Sequence, residues 1–396
     1  MVASSRTFLM VVSALTVSSR AFCFGDVGHL SVCKLAYDLV SAKTRSALDG
    51  IVRSRNAFAE QCVWPDMVKK MKPWNFTGNY HYINYEDGSF WKPTDIIKRK
   101  DGSPIATPDS GDMLQMSTRA VEKLSSGQGV SDQQKLCYLR FLGHLAGDMH
   151  QPLHTGRGSD YGGNSIKVSF DGIALYPVRS LAITIKRDAA GNIQDDECSK
   201  NLFQPSPACV TSETLMVDKK DAAGAVVKDS QGVPVKTFID NNLHTLWDDG
   251  VVDHRVKELG ISKGPDFDKR NIKDVFVAFA AALSQDARAR ESDLRAAMND
   301  DILRWVEYSN KFRGLAYDTS GIADNEGYYK ARVGIISDLL TRAGYRLAGV
   351  LNGIFDPGKN DGSQSVKGFH DARLREIKAR VKAGRTTEFT TECDKL

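Results

Sequence analysis

Residues 141–156 read FLGHLAGDMHQPLHTG, and no other stretch says more about the chain. His144 and Asp148 stand four apart, so on a helix they project from one face and can grip the same ion. Pro152 breaks that helix, and His154 emerges from the turn beyond it, within reach of a neighbouring ion. Upstream, Ser131 with Gln134 three residues later is a capping-box start, and Leu136, Leu139 and Leu142 supply apolar faces. A His–Asp pair on an apolar helix face is expensive to bury alone, and a metal is the simplest partner. The competing reading is a core helix that happens to carry polar residues. The rest of the chain decides.

Five of the eight histidines keep company that suits zinc. His29 follows Gly28, His81 sits in NYHYIN (79–84), and His144 and His154 belong to the segment above. His244 precedes Asp248 by four in NNLHTLWDD (241–249), a second pair on one helix face. Asp66, in the stretch Cys62-Val-Trp-Pro-Asp66, adds a carboxylate. Imidazole and carboxylate are suitable zinc donors, and several ions packed together would account for so many of them in one helical chain. His150, His254 and His370 have no such company and read as ordinary.

A length of 396 residues allows one large domain or two ordinary ones. The formal charge is +4, and Arg6 and Arg20 lie in the first 23 residues, which hold no acid. The remainder is therefore only two charges positive, too weak a field to argue for or against nucleic acid. At the N-terminus Arg6 precedes the apolar run Phe8–Leu15, and small residues follow, the layout of a secretory signal. That run is too short to span a bilayer, and no later stretch approaches about 20 apolar residues. Ala21 and Cys23 suit a cut before Phe24, while Ser19 and Ala21 suit one before Phe22, and the cleavage rule does not choose.

Seven cysteines become six once Cys23 leaves, and an even number in a secreted chain suggests disulfides. Cys33 lies four after His29 and Cys62 four before Asp66, so a shared metal cluster would bring those two cysteines close. Cys198 and Cys209 suit a local loop, which leaves Cys137 and Cys393 without an assigned partner. Asn75-Phe-Thr is a glycosylation acceptor.

Helical spacing runs over 26–48, 109–124 and 131–149, with a Trp/Pro/Tyr-rich loop region between about 63 and 93. The texture then changes. β-prone runs punctuated by two similar turns, Asp188-Ala-Ala-Gly191 and Asp221-Ala-Ala-Gly224, predict a β-hairpin insertion over about 170–240. Helical patterns return over 241–248, 275–298, 301–314 and 325–355. A Pro/Gly/Ser/Asp linker follows at 357–365, then a basic tail helix read chiefly as a solvated face. The expected organisation is a signal peptide over 1–23, a single mainly α domain over 24–356 that carries the insertion, and a linker with a basic tail over 357–396.

The donor set resembles that of the secreted zinc-dependent single-strand nucleases with 3′-nucleotidase activity, the S-one/P-one type, a phospholipase C/nuclease-like fold. The resemblance covers most of residues 24–356; the insertion is longer than in the shorter members, and the basic tail lies outside it. It implies that Phe24, as the mature N-terminal residue, binds zinc through its α-amine and carbonyl, with His29 five residues on. It implies further ligands at Asp66 and His81, at His144, Asp148 and His154, and at His244 and Asp248. The family usually begins with Trp where this chain has Phe24, but backbone ligation does not need the indole. Under this resemblance only a cut before Phe24 places a free amine five residues from His29.

By the family's pattern one zinc takes Asp66, His81, His144 and Asp148. A second takes Phe24 and His29 and shares Asp148, and a third takes His154, His244 and Asp248. Two ions roughly 3.5–4 Å apart, bridged by Asp148, would hold a water, lower its pKa towards 7 and direct it at phosphorus. Asp66 would orient that water, and Lys69, one helical turn on, would clamp the phosphate. Tyr82 would stack an unpaired base, Asn84 would meet the base edge where some members have Asp, Asn164 of the GGN loop would lie near the phosphate, and Tyr161 would form the other wall. The implied activity is endonucleolytic hydrolysis of single-stranded DNA and RNA to 5′-phosphates, with 3′-nucleotidase activity, by a monomer holding three zinc ions. A secreted zinc phospholipase C is the nearest alternative, but that family has a longer gap before its first His and a Glu where Asp248 stands. A non-catalytic scaffold is the other, and no ligand position of the set is missing.

Overall fold

The computed structural model describes residues 24–53, 57–69, 74–91, 111–168, 170, 242–261, 272–358, 362–384 and 389–396, with residues 225 and 228 and short strands between 97 and 237. The architecture is mainly α. The N-terminal part holds helices α1 (Gly25–Leu39), α2 (Ala42–Val52), α3 (Phe58–Gln61), α4 (Trp64–Val68), α5 (Met113–Ser126) and α6 (Asp132–Asp148). After the β-paired segment come α7 (Leu243–Thr245), α8 (Val251–Glu258), α9 (Ile272–Ala287), α10 (Glu291–Ala297), α11 (Ile302–Asn310), α12 (Arg313–Tyr317), α13 (Asn325–Lys330), α14 (Val333–Phe355) and α15 (Ser363–Lys382). The helical pattern over 26–48 is thus two helices. Val40 is extended, and the Ser41 side chain accepts from the Thr44 N–H to start α2 afresh.

The central pieces are α1, α6 and α14. α14 is buried from Asp338 to Asn352 and packs against both of the others. α6 begins with the expected capping box, Ser131 and Gln134 each bonding the other's backbone, a device worth about 1 kcal/mol. Two glycines one turn apart open a groove along α6. A Cβ at Gly147 would lie 2.7 Å from His29 Nδ1, and one at Gly143 would lie 2.5 Å from Cys62 Sγ and 3.1 Å from Cys33 Sγ. His29 and Cys33 of α1 therefore lie antiparallel over Gly147 and Gly143. The Cys33–Cys62 disulfide closes one turn along α6 from His29, as the spacing suggested.

The insertion consists of short antiparallel pairs: β3 (Val178–Leu181) with β6 (Val210–Thr214), β4 (Lys186–Arg187) with β5 (Ile193–Gln194), and β7 (Val217–Asp218) with β8 (Lys236–Thr237). The β4–β5 and β7–β8 pairs flank the two Asp-Ala-Ala-Gly turns. A further pair that the sequence did not suggest, β1 (Ile97–Lys98) with β2 (Pro104–Ala106), precedes α5.

α15 is the expected basic helix, but only one of its faces is solvated. Phe369, Ala372, Arg373, Glu376 and Arg380 are buried, and Gln115 donates to Glu376 Oε1 at 3.0 Å. Beyond it, Phe389 meets Tyr80 edge-on at 5.8 Å, and Cys393 is disulfide-bonded to Cys137 of α6. Charge content hides this docking because two of its arginines are turned inward. The segment 1–23 and the proposed Cys198–Cys209 loop lie outside the described residues.

Candidate metal centre

Seven structural elements converge on one buried pocket. α1 presents His29, α4 presents Asp66, and a 3-10 turn, Asn75–His81, ends on His81. α6 supplies His144 and Asp148 from one face; Pro152 starts the 3-10 turn Pro152–Thr155 that carries His154. Past the insertion, α7 bears His244, and a π-helical turn over Leu246–Gly250 turns Asp248 inward. All eight side chains are buried.

Asp148 lies at the centre. Its Oδ1 is 3.3 Å from His29 Nε2, and its Oδ2 is 3.2 Å from His81 Nδ1 and 3.4 Å from His144 Nε2. Asp66 Oδ1 sits 3.4 Å from His81 Nδ1 and 3.5 Å from His144 Nε2. Asp248 Oδ2 is 3.3 Å from His244 Nε2, while its Oδ1 is 3.8 Å from His154 Nε2. Three groups therefore have donor atoms close enough to share an ion: His29, His144 and Asp148; Asp66, His81 and His144; and His154, His244 and Asp248.

The hydrogen bonds indicate what the pocket awaits. His144 Nδ1 donates to the Cys62 carbonyl at 2.6 Å, His154 Nδ1 to the His81 carbonyl at 2.5 Å, and His244 Nδ1 to the Gly162 carbonyl at 2.6 Å. A carbonyl accepts only, so each of these rings carries its proton on Nδ1 and turns an Nε2 lone pair inward. His154 Nε2 and His244 Nε2 then face each other at 3.2 Å. Two lone pairs so placed repel unless a cation or proton lies between them. Both Asp148 oxygens and Asp248 Oδ2 are buried and accept no hydrogen bond among the described residues. Native interiors rarely tolerate such orphans, and divalent ions fit this donor set.

Electrostatics match that need. Burial pushes the Asp148 carboxyl up, but His144, His29 and His81 outweigh it and hold the group well below the usual carboxylate range. Burial acts the same way on Asp66, and there Lys69 and His144 prevail. Burial, with Lys69 second, lowers His81 to about 4, and burial with His144 lowers His29. Ionised carboxylates are what ligation requires, and burial lowers His244 as well. Against the same burial, Asp148 and Asp66 raise His144, and Asp248 and Asp148 raise His154, so these two imidazoles hold a proton that a bound cation would displace.

A family model described as S1/P1 Nuclease matches residues 24–175 and 231–356. The chain belongs to the S1/P1 nuclease family. The gap between the matched stretches falls within the β-paired insertion. Among curated relatives, Endonuclease 3 of Arabidopsis thaliana is 24% identical over 89% of this chain and 96% of its own length. Nuclease S1 of Aspergillus oryzae is 28% identical over 41% of this chain and 55% of its own length. Nuclease P1 of Penicillium citrinum is 30% identical over 38% of this chain and 53% of its own length. The last two alignments thus span about half of those proteins.

Around these His/Asp groups of the S1/P1 chain the other sequence-predicted residues take up definite positions. Phe24 is buried, with left-handed backbone at φ 41°, and its carbonyl accepts the Gly28 N–H at 2.9 Å to begin α1. Gly28 is needed there, because a Cβ would lie 2.5 Å from Phe24 Cβ. Lys69 Nζ is 2.5 Å from Asp66 Oδ1. Tyr82 donates its hydroxyl to Asn79 Oδ1 at 2.9 Å. Asn84 is buried and donates to the Gly156 carbonyl at 3.0 Å, and Asn164 Nδ2 donates to the Tyr161 carbonyl at 2.8 Å. Tyr161 is an exposed aromatic with a left-handed backbone.

Two features of this S1/P1 site escaped the sequence reading. The loop bearing Tyr161 and Asn164 is braced by Asp160, which accepts from the Gly163 N–H and from the Tyr317 hydroxyl, each at 2.8 Å. Tyr317 comes from α12, and nothing local in the sequence connects the two. Gln151 lies inside the 141–156 stretch, and its uncharged amide donates to Asp248 Oδ1 at 2.6 Å. His150, read as ordinary, is buried between the Ala146 carbonyl and Arg346.

Proposed function

We propose that this chain is a secreted, zinc-dependent nuclease that cleaves single-stranded DNA and RNA to 5′-phosphates and removes the phosphate of 3′-nucleotides. The single observation that carries the reading is the meeting of three His/Asp groups around Asp148 and Asp248, with imidazole lone pairs and carboxylate oxygens turned inward. Zinc held by these donors supplies Lewis acidity and lowers the pKa of a bound water towards 7.

The chain's own residues then have distinct tasks. Asp148, with one oxygen toward His29 and the other toward His81 and His144, spans the first two groups. Asp66, ionised and held beside His81, accepts a hydrogen bond from the attacking water and aims it in line with phosphorus. Lys69, already at the rim of that carboxylate, shares its ammonium with a phosphate oxygen. His154, His244 and Asp248 form the end of the pocket where the 3′-oxygen departs. Phe24 completes the His29 group through its amine and carbonyl once the signal is removed. Tyr82 gives a face on which any unpaired base can stack, with Asn84 at the base edge, Tyr161 opposite and Asn164 toward the phosphate. A paired base would have to leave its duplex first, which favours single strands.

Secretion rests on the N-terminal pattern and fits the two disulfides; no described helix is long and apolar enough to cross a membrane. A glycan on Asn75 and a monomeric state belong to the same proposal. The test is hydrolysis of single-stranded DNA, 3′-AMP and 5′-AMP by the purified protein. Activity on the first two should vanish in EDTA and return with zinc, and 5′-AMP should resist. Hydrolysis that persists undiminished in chelator contradicts the reading.

A further inference from the structure

We propose that Gln151 is the positioning residue of the third ligand group: one carboxamide sets both His154 and Asp248, and it determines which Asp248 oxygen meets the ion. The inference rests on the metal reading above and adds a residue to it that ligates nothing. Gln151 is fully buried. Its Oε1 accepts the Leu153 N–H at 2.5 Å, which caps the turn Pro152–Thr155, and its backbone carbonyl accepts the His154 N–H at 3.0 Å. Its Nε2 donates to Asp248 Oδ1 at 2.6 Å.

That Leu153 N–H fixes the amide. A flipped carboxamide would set NH2 against N–H at one end and oxygen against a carboxylate at the other, two repulsive contacts in a dry site. The donor must therefore face Asp248, and it occupies Oδ1. Asp248 Oδ2 is left buried without a hydrogen bond among the described residues, 3.3 Å from His244 Nε2. Gln151 thus presents a single oxygen of Asp248 beside His244, while the same side chain holds the turn from which His154 reaches in. Partners of this kind behind a ligand typically govern metal affinity by about 10–100-fold.

The experiment compares wild type, Gln151→Glu and Gln151→Met for zinc content and for zinc affinity by competition with a chelator. Gln151→Glu keeps the acceptor that caps Leu153 but places oxygen against Asp248; Gln151→Met matches the shape and lacks both contacts. Both should hold one ion about 10–100-fold more weakly than wild type and retain the others. Wild-type affinity for the other two ions separates positioning from a general structural role, since a loosened fold would weaken all three. Should Gln151→Met fail to fold, Gln151→Glu alone decides. If wild type binds three ions and Gln151→Glu binds all three as tightly, the role of Gln151 is overturned while the metal reading stands. If wild type binds none, both fall together.

Discussion

His154 Nε2 and His244 Nε2 face each other across 3.2 Å, and each ring's other nitrogen donates to a backbone carbonyl. The two residues are 90 apart in the chain, with the β-paired insertion between them, yet they are aimed at one point. The carbonyls of His81 and Gly162 do the aiming. Replacing His244 by Ala should remove one ion per chain and lower kcat by about 10²–10³-fold or more, with the fold kept. Metal analysis beside steady-state kinetics checks this; an unchanged ion count would refute the assignment.

Gly147 gives a second prediction. A methyl there would lie 2.7 Å from His29 Nδ1, so Gly147→Ala must push α1 or the imidazole away from Asp148. The expected cost is about 1–3 kcal/mol of stability, together with weaker metal retention. Denaturant unfolding and zinc content measure both. A stable variant with full zinc content would show that α1 and α6 are less tightly apposed than described.

The meeting of the buried His and Asp side chains was legible because they stand at short, helix-compatible spacings: His144 with Asp148, His244 with Asp248, and Pro152 placing His154 past a helix end. The insertion was legible from its turns, since β4–β5 and β7–β8 flank the repeated Asp-Ala-Ala-Gly. What was hidden depends on distant packing. The docking of α15 rests on Gln115 meeting Glu376, the Cys137–Cys393 bond joins residues 256 apart, and Tyr317 reaches Asp160 from another helix. No local pattern encodes such meetings. Gln151 was hidden for a different reason: its amide meets Asp248 from 97 residues away and carries no charge.

The Cys137–Cys393 bond ties the C-terminal residues to the helix that carries His144 and Asp148. A bond closing so long a loop is worth about 2–4 kcal/mol, subject to what order the reduced chain keeps. Cys393→Ser should lower the melting temperature by several degrees, measured against wild type in the same buffer. An unchanged melting temperature would mean that the packing of α15 and Phe389 alone secures the end.

His150 sets the direction of an acid response. Its proton sits on Nδ1, donated to the Ala146 carbonyl at 2.7 Å, and its Nε2 accepts from Arg346 at 2.8 Å. Burial first, and the Arg346 charge second, hold it well below its ordinary 6.5. As pH falls below about 6.5 the unfolded chain takes up a proton that the folded chain refuses, so stability falls. The contribution is about 1.4 kcal/mol per pH unit. In metal-free protein, unfolding free energy against pH should be shallower by that slope in His150→Gln than in wild type. Equal slopes would contradict a buried neutral imidazole.

The central claim is that eight His and Asp side chains, with the Phe24 terminus, enclose a trio of divalent ions. Elemental analysis of the secreted protein, purified without chelator, tests it most directly. About three zinc ions per chain are predicted, with the count falling in His144→Ala and in Asp148→Asn. A wild-type protein that hydrolyses single-stranded DNA with no stoichiometric metal would contradict it.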